Sequence, residues 1–125
     1  TVPGPWGEVP AVMAELVITF VLMTAVLHVS NHPRLSGCTG VVAGSLVALY
    51  ITVEAPVSGM SLNPARSLPP ALMAGELSSL WIYFVAPPAG SEVSRVVQDA
   101  AALAGAGYAM EPGELSEKTG DTLQD

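Results

Sequence analysis

Few residues in this chain could do chemistry, and the densest group of them is Asn63-Pro64-Ala65-Arg66-Ser67. Asparagine is a preferred helix N-cap and proline is favoured at the first helical position, so this order predicts a helix that starts at Asn63. The first N–H groups of such a helix have no intrahelical partner, and its dipole places about half a unit of positive charge there. Asn63 adds a side-chain amide donor, and Arg66 adds a permanent charge with five N–H donors. Inside a membrane, that group would repel cations and protons and welcome the oxygens of neutral, hydroxylated solutes.

The remaining candidates are isolated. Glu15 stands in an apolar run, where a carboxylate is costly and marks a bundle-facing or functional group. A proton relay there would need a titrating partner in the same span, and only His28 lies near its other end. Glu54 reads as exposed at the outer end of a second apolar run. His28 and His32 share a spacing of four, but Asn31 and Pro33 end the helix between them, so no metal is expected. Cys38 is the single cysteine and reads as packing; it cannot form an intrachain disulfide. Neither a nucleophile with its base, nor paired carboxylates, nor a glycine-rich phosphate loop stands out, so neither an enzyme nor a cofactor is expected.

The elements that position these residues are set by hydropathy. Half of the 125 residues are hydrophobic and 12% are charged, with a mean hydropathy of +0.51. The bilayer is the expected solvent, with lipid as the surrounding partner. The net charge of −7 comes largely from the acidic end after Glu111 and gives no reason to expect nucleic acid as a partner. Residues 1–10 read as a Pro/Gly loop without Lys or Arg, not a signal peptide, and the sequence starts without Met, as expected of a chain begun within a longer protein or of a processed or incomplete product. Residues 11–30 are about long enough to cross a bilayer, and a second span runs from about Gly37 to Val57. Gly40, Gly44 and Ala48 repeat every four residues on that second helix, which would let a neighbouring backbone approach closely. Arg34 in the connector 31–36 places that connector in the cytoplasm by the positive-inside rule, with the N-terminus outside.

Between Pro56 and Leu80 the chain is too broken to span but apolar enough to stay in the membrane. It reads as a re-entrant loop and half-helix, tolerated at that depth when buried in protein or lining a watery cavity. A third apolar run is clear through Trp81-Ile82-Tyr83-Phe84, where Trp81 and Tyr83 suit an interface. Glu92, Arg95 and Asp99 then interrupt it, with Arg95 and Asp99 spaced to pair. Residues 92–110 read either as an amphipathic helix at the interface or in the cytoplasm, or as a last span with a polar face turned to the bundle. Residues 111–125 have the composition of a disordered tail.

Asn-Pro-Ala alone is a common turn sequence. Its setting is more specific: Ser58-Gly59, Asn63 to Ser67 and Pro70-Ala71 keep the spacing found in the second half of the major intrinsic proteins, the aquaporins and aquaglyceroporins. Trp81 to Gly90 resembles the opening of that family's last span, and Glu15 with Thr19 resembles a pair in its fourth. The resemblance covers about residues 9–91. It implies an all-α membrane fold: half of an aquaporin-like bundle, with two clear spans, a re-entrant half-helix and a shortened or amphipathic last helix. It implies that Asn63, Pro64 and Ala65 form the second pore asparagine motif, and that Arg66, Ile51 and Met60 belong to the narrow outer filter. Glu15 would support the Asn63 loop. Strict water channels of the family usually have histidine at the position of Ile51, so the resemblance points to water together with glycerol, urea or a metalloid hydroxide.

The family plan has two inverted repeats, and one is present here. Residues 11–91 would be the channel half, in a plasma or inner membrane with the C-terminal tail cytoplasmic. Its expected partners are a missing N-terminal half or further copies, the family assembly being a tetramer. The other expectation is a non-conducting membrane protein that at most associates with full-length relatives through the Gly40/Gly44/Ala48 face.

Overall fold

The computed structural model describes residues 2–109, and every element among them is helical. Helix α1 covers Glu8–Ser30, a 3-10 turn covers Ser36–Cys38, and α2 covers Thr39–Val53. Then come the short α3, Ala55–Ser58, followed by α4, Pro64–Ala74, and α5, Leu80–Ala109. α1 and the stretch Ser36–Val53 are long and apolar enough to cross a membrane, with hydropathies of 2.2 and 1.6. The expected tail at 111–125 lies outside the described residues. The chain divides into two compact units, Thr1–Arg95 and Val96–Asp125. The candidate site lies wholly in the first.

Two boundaries differ from the hydropathy reading, each for a local reason. α1 begins inside the expected loop, because Gly7 takes φ 89° and lets the chain turn into the helix at Glu8. Pro10 is accommodated in the first turn, where N–H groups have no helical acceptor. The second span stops at Val53 rather than Val57. Pro56 offers no N–H to the Thr52 carbonyl and its ring crowds that carbonyl, so the chain bends at Glu54 and makes only one further turn as α3. Gly59, left-handed at φ 83°, ends α3.

α1 is the central element. Ala11 packs with Ile82, Tyr83 and Ala86 of α5 in one core, and Ile18 packs with Tyr50 of α2 and Met60 in another. Glycine sets the approach of α1 and α5: a Cβ on Gly90 would lie 2.5 Å from the Leu16 carbonyl oxygen and 3.2 Å from Thr19 Cβ. Further along, the Thr24 and Ser94 hydroxyls join the same helices at 2.8 Å.

The last helix is continuous for 30 residues and passes through Pro87 and Pro88. Beyond Gly90 its polar and apolar residues do not separate into two faces, since Val93, Val96 and Val97 are exposed as Glu92 and Arg95 are. Ser94 is fully buried, whereas Glu92 and Arg95 are exposed and paired at 3.2 Å. Arg95 thus pairs one turn back, where the spacing had pointed to Asp99. The small-residue positions Gly40, Gly44 and Ala48 are exposed on α2, and a Cβ on either glycine would meet nothing within 4 Å.

Candidate pore-lining site

The segment between α3 and α4 has an unusual backbone. Met60 and Leu62 take φ 49° and 58°, in a region that costs side-chain-bearing residues on the order of 1–3 kcal/mol each. Glu15, fully buried on α1, supplies the compensating contacts. Its Oε1 accepts the Ser58 hydroxyl at 2.7 Å and the Ser61 N–H at 2.6 Å, and its Oε2 accepts the Leu62 N–H at 2.9 Å. Ser58 Oγ in turn accepts the Met60 N–H at 3.1 Å. From α5 the Tyr83 hydroxyl donates to the Ser58 carbonyl.

These bonds fix the direction of the loop's carbonyls. With all peptide bonds trans and planar, the carbonyl of each unit points opposite its N–H. The N–H groups of Met60, Ser61 and Leu62 turn toward Glu15 and Ser58, so the carbonyls of Gly59, Met60 and Ser61 turn away from them.

α4 starts where the Asn-Pro order predicts. Asn63 is its N-cap, and Asn63 Oδ1 accepts the Ala65 N–H at 2.8 Å, with Pro64 in the first turn. Because the oxygen is engaged by the cap, the amide NH2 of Asn63 is left as the outward donor. Ser61 Oγ gives its proton to the Asn63 carbonyl at 2.9 Å, so in the 2.6 Å contact between Ser61 and Ser67 the donor is Ser67. Arg66 N donates to the Asn63 carbonyl at 3.1 Å. Its side chain is exposed and, among the described residues, makes no ion pair.

Asn63, Ala65, Arg66 and Ile51 are all exposed, and Pro64 is partly so. Met60 departs from expectation: only 4% of it is exposed, and its side chain packs on Ile18 and Tyr50. Its N–H donates to Ser58 Oγ, with the backbone held at φ 49°. Leu62, Asn63 and Pro64 form one wall of a groove of about 350 Å³, with Thr19 to Val26 of α1 and Pro87, Pro88 and Ser91 of α5 opposite.

Three other readings change. Tyr83 is fully buried instead of lying at an interface, since its hydroxyl has the Ser58 carbonyl to meet. Glu54 is 8% exposed, at the bend where α2 ends and α3 begins, instead of lying open at the end of the span. Cys38 is exposed in the 3-10 turn and packs against no core. His28 and His32 are both exposed, and His32 Nδ1 accepts the Arg34 N–H at 3.2 Å. Sequence reasoning missed Ser61 and the loop contact of Tyr83. The available signal was that small polar residues within a membrane segment need partners.

Residues 3–98 match the family model described as Major intrinsic protein. The chain is 40% identical over 86 residues to aquaporin NIP1-1 of Oryza sativa subsp. japonica, covering 68% of this chain and 30% of that protein. It is 41% identical over 93 residues to aquaporin NIP1-1 of Zea mays, covering 71% and 33%. With aquaporin TIP2-3 of Arabidopsis thaliana it shares 38% identity over 95 residues, covering 73% and 38%. The chain therefore spans about a third of the length of these relatives.

Proposed function

This chain belongs to the major intrinsic protein family, and from that membership we propose that it is half of a passive membrane channel for water and small uncharged solutes. The observation that carries the proposal is the loop held by Glu15, whose carbonyls are turned away from the core beside the exposed start of α4. A solute hydroxyl would donate to the carbonyls of Gly59, Met60 and Ser61 and accept from the Asn63 amide and the Arg66 guanidinium. The positive helix start and Arg66 would oppose cations. Ile51 would add an apolar surface at the narrow part, which suits glycerol, urea or a metalloid hydroxide as well as water.

The pore would be completed by the two thirds of the family length that this chain does not span, or by further copies of it, in a plasma or inner membrane with the 31–36 connector and the tail cytoplasmic. Stopped-flow light scattering tests this on vesicles containing the purified chain, challenged with an impermeant osmolyte and then glycerol. Shrinkage or reswelling faster than in empty vesicles, and altered by Arg66→Val, is expected. With insertion confirmed, permeability equal to that of empty vesicles would refute conduction by this half alone.

The exposed glycine face of α2 favours a second reading, in which the chain does not conduct and associates with full-length relatives. Recovery of the chain from membranes free of any oligomer or partner would sink it.

A further inference from the structure

Glu54 ends α2 and precedes α3, directly after the second span. It is more than nine-tenths buried, yet neither of its carboxylate oxygens has a hydrogen-bond partner among the described residues. Its polar neighbours are Ser58 on α3 and Glu15 on α1, and Tyr83 of α5 lies within the field of both carboxylates. Tyr50, one turn back on α2, is buried with an unpartnered hydroxyl. The N-terminal segment reaches α3 through the Gly4 N–H to the Val57 carbonyl at 2.8 Å, and residues 2–7 carry no ionisable side chain. No cation stands among these neighbours.

An ionised carboxylate in such a place is costly, since burial removes its water and Glu15 adds like charge. Ser58 relieves only part of that cost, because its hydroxyl proton goes to Glu15 and its oxygen already accepts the Met60 N–H. Its hydroxyl oxygen has one acceptor site left for a protonated Glu54. The remaining way to solvate the charge is to open the bend, and Glu54 stands at that bend.

We propose that Glu54 is a pH-operated latch: as a neutral acid it lets α3 and the loop Gly59–Leu62 close against Glu15, and loss of its proton to water loosens them. The closed form binds the additional proton, so closure weakens as pH rises. This holds whether or not the half conducts, and its test reads the loop directly.

The test is amide hydrogen exchange at Met60, Ser61 and Leu62 in the purified chain in lipid, at about pH 5 and about pH 8, corrected for intrinsic rates. A loss of wild-type protection on going from about pH 5 to about pH 8 is expected. Glu54→Gln and Glu54→Leu, which have no proton to lose, should stay protected at both values. Wild-type protection that does not change with pH would overturn the proposal. So would a loss of protection that persists in both variants, which would place the titration on another group.

Discussion

Glu15 is a carboxylate in the interior of a membrane helix, and it is tolerable because three donors converge on it from a segment more than forty residues away. Glu15→Ala would strand the Ser61 and Leu62 N–H groups at a cost on the order of 1–3 kcal/mol each. Chemical unfolding in detergent should show a loss of that size, and wild-type stability in the variant would refute the bracing role. Tyr83→Phe removes one donor to the Ser58 carbonyl while keeping the ring, so a smaller loss, about 1 kcal/mol, is expected by the same measurement. Glu15 was legible in the sequence because charge inside a span is rare. Ser61 was not, because a serine advertises neither its partner nor its burial.

At the scale of elements, α1 and α5 owe their close approach to Gly90 and their later contact to the Thr24–Ser94 pair. Gly90→Val would push a side chain into the Leu16 carbonyl and force the helices apart. Thermal unfolding should report a destabilisation of about 1–3 kcal/mol, the usual range for overpacking, and an unchanged midpoint would count against the contact. At the start of α4, Asn63→Ala removes the cap to the Ala65 N–H and should cost about 1 kcal/mol. The start of α4 was readable because Asn-Pro encodes it locally. The end of α2 was misplaced by four residues, because hydropathy runs on through Pro56 while the backbone hydrogen bonds do not.

At the scale of the whole molecule, much apolar surface is uncovered in the isolated chain. Tyr50 is the one buried residue of α2, and Ile51 is 53% exposed. Such surface calls for lipid or another polypeptide. Ile51 and Met60, neighbours in the expected filter, should therefore differ in accessibility. In a Cys38→Ser background in detergent, a water-soluble thiol reagent should label Ile51→Cys several-fold faster than Met60→Cys. Equal rates would show that the Met60 side chain is not held against Ile18 and Tyr50.

The sequence alone determined the helical membrane class, the first span, the start of α4 and the significance of Glu15. Each rests on local information: run length, a capping order, or a charge where charge is expensive. The tertiary structure decided that the Met60 side chain packs with Ile18 and Tyr50, that Tyr83 and Ser61 join the bracing network, and that Glu54 is buried. Those outcomes depend on contacts between residues tens of positions apart, and no single stretch of sequence contains both partners.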